Sequence, residues 1–274
     1  MKHFLSLIFL IVFGQTHAQE LKVMSYNIKL DYPKEGKNSW NNRKPFFVNQ
    51  LKYYGPDVFG VQEALPNQMK DIDSLMPAYG FVGVGRDNGS DEGEYSAIFY
   101  KKEVFDVVQS STFWLSETPG KVSMGWDAVC NRVCTYVLLK AKTSNKQFWV
   151  FNTHFDHIGE KARVNSAVLI LQKIKNINTK DYPVVLMGDF NMEETHKSIT
   201  LIKQDLNDSK LIANLTFGPE GTFNGFKFEE PVTNRIDFIF VSPDIFVNKY
   251  AILSDNWNCQ YPSDHLPVLV NIAF

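Results

Sequence analysis

Tyr182-Pro183-Val184-Val185-Leu186-Met187-Gly188-Asp189-Phe190-Asn191 is an apolar run that stops at a glycine and passes into an acid and an amide. Val184 to Met187 has the length of a buried strand and is too short for a helix. Gly188 marks the strand's end or a close approach of another backbone. Asp189 and Asn191 then stand two residues apart at a strand end, able to point the same way. Element ends held by a rigid sheet are where catalytic groups collect. In isolation the segment reads equally well as an Asx turn closing a strand.

Other apolar runs end in the same manner. Leu21 to Asn27 alternates apolar and polar residues and closes on Asn27. Val58 to Glu63 closes on an acid. Arg132–Lys140 and Lys146–Asn152 form an expected hairpin, the second strand running into Asn152-Thr153-His154-Phe155-Asp156-His157. Asn234 to Val241 carries Asp237, and Ser263-Asp264-His265 precedes the last strand. Helical spacing covers Asn42–Tyr54, Leu65–Leu75 and Glu160–Asn176, the last with Val164, Ala167, Leu171 and Ile174 on one face. Tyr95–Tyr100 and Val104–Val108 read as strands joined by the charged turn Lys101-Lys102-Glu103. Strands alternate with helices early and late, with hairpins between, which predicts two mixed sheets packed together with helices outside.

The 274 residues are 44% hydrophobic, with 22 Phe and 11 Tyr, enough for one large core. Residues 1–18 read as a cleavable leader, with Lys2 and His3 before an apolar stretch and Thr16-His17-Ala18 at its end. A secreted or periplasmic protein beginning near Gln19 is expected, residues 19–274 forming one domain. The formal net charge is −2, and loss of Lys2 makes it one unit more negative. A protein that grips a long polyanion usually shows a basic excess, and this composition has none. Cys130 and Cys134 fall on one expected strand, too far apart for a disulfide. All three cysteines, Cys259 included, are expected to be buried small apolar residues.

Asn27, Glu63, His154, Asp189, Asn191, Asp237, Asp264 and His265 are the polar residues at these strand ends. Together they hold the parts of a metal-assisted phosphate hydrolase. A hard cation such as Mg²⁺ or Mn²⁺ takes oxygen ligands and leaves positions for water and phosphate. A carboxylate such as Asp189, steadied by Asn191, can orient and deprotonate a water. Charge growing on phosphoryl oxygens calls for donors, and an imidazole beside a carboxylate, as His265 with Asp237, stays protonated more readily.

The segments Ser25-Tyr26-Asn27, Val61-Gln62-Glu63, Asn152-Thr153-His154, Gly188-Asp189-Phe190-Asn191, Arg235-Ile236-Asp237-Phe238-Ile239 and Ser263-Asp264-His265-Leu266-Pro267 occur in an order that resembles the endonuclease/exonuclease/phosphatase superfamily, the deoxyribonuclease-like metal-dependent phosphoesterases. The resemblance runs from Leu21 to Phe274. It implies an α/β fold, a four-layer α/β/β/α sandwich of two mixed β-sheets with the site at one rim. It implies Glu63 as principal metal ligand with Asn27 and Asp264 nearby, Asp189 and Asn191 on the attacking water, and His154 and the His265–Asp237 pair on the phosphate.

Asn152 to His157, Gly159, Ala162-Arg163, Gly125-Trp126-Asp127 and Arg132 with Thr135 are similar to the deadenylase-like and uncharacterised bacterial branch. There Arg132 and Asp156 would line the substrate side. The residue after Thr135 is Tyr136, where that branch usually has Trp. Trp126 and Phe223 are expected to face substrate. The implied partner is a phosphate ester: nucleic acid, nucleotide, phospholipid head group or sugar phosphate. A monomer without a stable protein partner is expected. Two other readings compete. One is a non-catalytic binding module, which would have lost Glu63, Asp189 or His265. The other is a sphingomyelinase-type phospholipid hydrolase, which would expose an aromatic hairpin within Phe223–Phe228.

Overall fold

The computed structural model describes residues 20–274, so the expected leader lies outside the described residues. In chain order the elements are β1 (Leu21–Asn27), α1 (Trp40–Tyr54), β2 (Val58–Ala64), α2 (Pro66–Leu75), β3 (Tyr79–Val82), β4 (Tyr95–Lys101), β5 (Phe105–Trp114), β6 (Val133–Ala141) and β7 (Gln147–His154). Then follow α3 (Glu160–Ile177), β8 (Val184–Asp189), α4 (Lys197–Ile202), β9 (Asn207–Asp208), α5 (Ser209–Ile212), β10 (Leu215–Phe217), β11 (Asp237–Val241), β12 (Phe246–Ile252) and β13 (Val268–Ala273). One sheet has the order β10-β12-β13-β1-β2-β4-β3 and the other β5-β6-β7-β8-β11-β9.

The central strands are buried on both faces, which is why they read as unbroken apolar runs. In β8, Val185 and Met187 point between the sheets, while Val184 and Leu186 point to the helix layer. In β7, Phe148 and Val150 face inward, and Trp149 and Phe151 outward. Trp40, Phe47 and Leu51 of α1 cover the first sheet over Phe59 and Phe99. Ala167 and Ile170 of α3 and Ile199 of α4 cover the second over Leu186 and Phe240. The result is the α/β/β/α sandwich.

Three details differ from the sequence reading. β4 and β5 do not pair; they lie in different sheets, and Lys101 to Val104 is the crossing between them. The buried stripe of α3 is Ala162, Ser166, Ala167 and Ile170, with Val164 at its margin. Small residues there let the helix lie close to a sheet whose outward side chains are Phe and Trp. Cys130 precedes β6 rather than sharing a strand with Cys134, and only Cys134 is buried; Cys130 is half-buried, Cys259 exposed, and all are free thiols.

The topology brings strand ends from both sheets to one rim. β1 runs parallel to β2, pairing Asn27 with Gln62. β7 runs parallel to β8, pairing His154 with Asp189, and antiparallel β11 sets Asp237 opposite Asp189. Asn152 fastens the sheets just below: its Nδ2 donates to the carbonyls of Val61 (2.9 Å) and Ala97 (2.8 Å), and its Oδ1 accepts from Gln62 Nε2 (2.6 Å). Gly60 makes room for it, since a Cβ there would lie 2.7 Å from Asn152 Cγ. Gly188 has φ +153, and a Cβ on it would meet the Thr153 carbonyl oxygen at 2.1 Å. The strand continues through Gly188, and the glycine marks the close approach.

Candidate active site

Asp189 stands at the centre of the rim. Its Oδ1 accepts the Asn191 N–H (2.8 Å), closing an Asx turn in which Asn191 is left-handed at φ 54. The turn frees Oδ2, which accepts from Asn27 Nδ2 (2.8 Å) and lies 3.8 Å from His265 Nε2. The Asx turn and the placement of Asp189 at the rim are thus the same structure. Burial and the neighbouring Asp237 push the Asp189 carboxyl up to about 7, the range in which a general base works best near neutrality.

Glu63 reaches the same place by a different device. β2 bulges between Val61 and Ala64, and Glu63 is left-handed at φ 62. Such a backbone costs about 1–3 kcal/mol in a non-glycine residue and persists only where neighbours impose it. Asn27 Nδ2 (3.0 Å) and the Leu30 N–H (3.1 Å) each donate to its carboxylate. Burial would raise the Glu63 pKa, but the Lys29 ammonium and His265 outweigh it and hold the group below the usual carboxylate range.

His265 donates from Nδ1 to Asp237 Oδ2 at 2.8 Å. Burial disfavours the imidazolium, yet Asp237 and Asp189 overcome this and push His265 up to about 10. Its remaining N–H, on Nε2, faces the acids. His154 goes the other way: burial and the charges of Arg132 and Arg86 hold its pKa well below the ordinary histidine value. Asn191 Nδ2 donates to the Phe155 carbonyl and also meets His154 Nε2, both at 2.9 Å. The amide orientation is therefore fixed, Nε2 accepts, and the neutral ring carries its proton on Nδ1.

These groups line one end of a cavity of about 420 Å³. An oxygen of Glu63, an oxygen of Asp189 and a ring nitrogen of His265 lie within 4.8 Å of one another. His265 Nδ1 is engaged with Asp237, and Glu63 and Asp189 supply the carboxylate oxygens of this group. Asp264 joins them across Lys29, whose Nζ is 3.8 Å from Glu63 and 3.3 Å from Asp264. An ammonium drawn to that spot shows that the field there favours a cation, and the set fits a hard divalent ion. Asn27 lies between the two acids: its Oδ1 accepts the Lys29 N–H (3.0 Å) and its Nδ2 donates to Glu63 and Asp189.

The branch residues divide. Arg132 and Phe223 line the cavity, and Phe223 also packs edge-on against His265, 5.1 Å between centroids. Asp156 does not line it. It is buried behind Arg132, accepting the N–H groups of Gly159 (2.7 Å), Ile158 (3.0 Å) and Val129 (3.1 Å). Trp126 does not line it either. At φ 51 its backbone turns so that Asp127 accepts from Lys161 and Ala162 at the start of α3. The aromatic stretch Phe223–Phe228 forms no hairpin; Phe226 lies under the Arg43 guanidinium and Phe228 packs on Tyr261.

The sequence reading missed Lys29, Arg86 and Glu94 and gave His157 no role at the site. All four line the cavity. Arg86 and Glu94 come from the loop between β3 and β4, where charged residues among Gly85, Gly89 and Gly93 look like an ordinary solvated turn.

The sequence profile of the Endonuclease/Exonuclease/phosphatase family matches residues 24–265. The chain belongs to that family. Its members hydrolyse phosphate esters. Among solved structures, the chain is similar to the mannosyl-6-phosphatase of Bacteroides thetaiotaomicron VPI-5482, with 41% identity, TM-score 0.91, and coverage of 93% of this chain and 100% of that one. A second Bacteroides thetaiotaomicron structure, described as an endonuclease/exonuclease/phosphatase family protein, has 40% identity and TM-score 0.91 over 94% of this chain and 99% of that one. Human Nocturnin is 24% identical over 93% of this chain, which spans 65% of that longer protein.

Proposed function

We propose that this protein is an exported, divalent-cation-dependent phosphatase that releases phosphate from a sugar phosphomonoester by in-line attack of water. The observation that carries the reaction class is the meeting of Asp189, Glu63 and the His265–Asp237 pair at one rim. The small cavity and the similarity to a mannosyl-6-phosphatase support a compact sugar ester. The absence of a basic excess weighs against long nucleic acid.

Glu63 and Asp264 would hold the cation, with Asp189 adjacent. A bound divalent ion supplies Lewis-acid charge to a phosphoryl oxygen. Asp189 Oδ2 orients the water and takes its proton, while Asn191 fixes the carboxylate through Oδ1. His265, kept charged by Asp237, gives a hydrogen bond from Nε2 to the phosphoryl oxygen on which charge grows. As the water oxygen bonds to phosphorus, the P–O bond to the sugar breaks, and the sugar leaves as its alcohol with a proton taken from solvent. The export step rests on residues 1–18 and is tested by finding a mature protein that starts near Gln19.

The reading is tested by phosphate release from hexose phosphates, nucleotides, oligonucleotides and sphingomyelin with Mg²⁺ or Mn²⁺. Hexose phosphates should lead, and excess EDTA should abolish turnover until the cation is restored. Unchanged turnover in EDTA would remove the metal role of Glu63 and Asp264.

The pH profile follows from the two perturbed groups. The base form of Asp189 must be present, so kcat/KM rises with pH through an acidic limb at or below about 7, a bound cation moving that limb downward. His265 must stay protonated, so kcat/KM falls through an alkaline limb near about 10. Asp237→Asn removes the charge that raises His265 and should move the alkaline limb down while the acidic limb does not rise. An alkaline limb that Asp237→Asn leaves in place belongs to another group.

A further inference from the structure

The cavity has a far wall that the reaction just described does not use. His154 separates the two ends: its Nε2 is 3.5 Å from Asp189 Oδ2 and its Nδ1 is 3.8 Å from Glu94 Oε2. Beyond it stand Glu94, Arg86 and Arg132. Arg86 Nη1 donates to Glu94 Oε2 at 2.7 Å, and its Nε lies 3.9 Å from Asp87 Oδ1. Arg132 is 5% exposed, backed by Asp156 with Nε 3.6 Å from Oδ2, and its Nη2 meets His157 Nδ1 at 3.1 Å. Among the described residues Arg132 Nε and Nη1 and Arg86 Nε have no hydrogen-bond acceptor. Glu94 Oε1 likewise receives no donor among them.

Two features of this wall decide what it fits. Each guanidinium is balanced by a carboxylate, Arg86 by Glu94 and Arg132 by the buried Asp156, so the wall has hydrogen-bonding capacity without net positive charge. It also offers donors and an acceptor side by side. A hydroxyl both gives and accepts a hydrogen bond, whereas a phosphate only accepts at such a wall and would be repelled by Glu94. Phe223, which lines the cavity, packs edge-on against His265 and not beside Glu94 and the two arginines.

We infer that Arg86, Glu94 and Arg132 form a charge-balanced subsite for the hydroxyl groups of a neutral sugar, so that the protein takes a sugar monophosphate and rejects a second phosphate on the same sugar. The inference rests on the phosphatase reading for the placement of the first phosphate beside His265. A phosphate on an exocyclic oxygen puts the sugar ring across His154, and its hydroxyls then meet the far wall.

Binding is measured apart from turnover by calorimetry on Asp189→Asn with Mg²⁺, titrating mannose 6-phosphate, mannose 1,6-bisphosphate and phenyl phosphate. The monophosphate should bind about tenfold or more tightly than either of the others, since phenyl phosphate leaves the buried polar groups unpaired and the bisphosphate meets Glu94. Adding Glu94→Gln leaves the arginines in excess and should shift the monophosphate-to-bisphosphate ratio toward the bisphosphate by about tenfold. Adding Arg86→Gln instead should shift it the other way, so the two variants control for each other's folding. Equal or tighter binding of the bisphosphate, or a ratio that moves the same way in both variants, overturns the subsite. If the calorimetric order holds and the native protein releases no phosphate from mannose 6-phosphate, the subsite stands and the phosphatase reading falls.

Discussion

Asp189→Asn is expected to lower turnover by about 10²- to 10⁴-fold, the range lost with a general base, or about 3–5 kcal/mol of barrier. The substitution keeps shape, and its Oδ1 can still accept the Asn191 N–H that closes the turn. Two effects on stability oppose each other. The new amide would set its NH₂ against Asn27 Nδ2, which now donates to Oδ2 at 2.8 Å, a loss of about 1–3 kcal/mol if both donors stay unpaired. Against this, a neutral group relieves the burial and the Asp237 repulsion that push Asp189 up to about 7. The fold should therefore survive with a small net change. Glu63→Gln should behave differently. It removes a carboxylate that Asn27, Leu30 and Lys29 all hold in its charged form, so its turnover should recover in part as Mg²⁺ is raised. Rate against Mg²⁺ concentration separates the two variants. Rescue of Asp189→Asn and not of Glu63→Gln would reverse the roles assigned to these acids.

The rim was legible because its residues interrupt strong patterns. Glu63, Asp189 and Asp237 each break an apolar strand, and a buried carboxylate requires a partner; each has one here. What patterning could not carry is orientation off the strands. Asp156 is one residue past Phe155, yet the turn after β7 points it inward to three backbone N–H groups instead of toward the cavity. Sheet membership was hidden too, because the crossing after β4 has the same charged composition as a hairpin turn. Arg86 and Glu94 sit on a loop with no periodicity, so only tertiary packing places them across His154 from Asp189. The left-handed backbones of Glu63 and Lys29 are similarly unannounced by residue type, since neither favours that region.

The buried Arg235–Asp208 pair supports the rim from the side, and Asp208→Asn should show how much. Arg235 is 4% exposed, its Nη1 donates to Asp208 Oδ2 at 2.9 Å, and its guanidinium lies 4.3 Å from the Phe238 ring centroid. Two residues on, Asp237 begins β11; its N–H and that of Ile236 donate to Thr222 Oγ1, both at 3.1 Å. Asp208→Asn retains the Oδ1 that accepts the Lys210 N–H at the start of α5, removes the charge, and sets an NH₂ where Oδ2 accepted from Arg235 Nη1. Breaking one side of a buried pair leaves an uncompensated ion, which costs about 3–5 kcal/mol. Glu194, 3.3 Å from Arg235 but 56% exposed, offsets little because solvent screens it. Urea unfolding should therefore show a loss of about 3–5 kcal/mol. Because Asp189, Glu63 and His265 are untouched, kcat at low temperature should fall by less than about tenfold. A stability loss under about 1 kcal/mol would mean that Glu194 takes over the guanidinium. The pair's own contribution is then read from Asp208→Asn combined with Arg235→Met: if the cost is the stranded charge, the double variant should be more stable than Asp208→Asn alone.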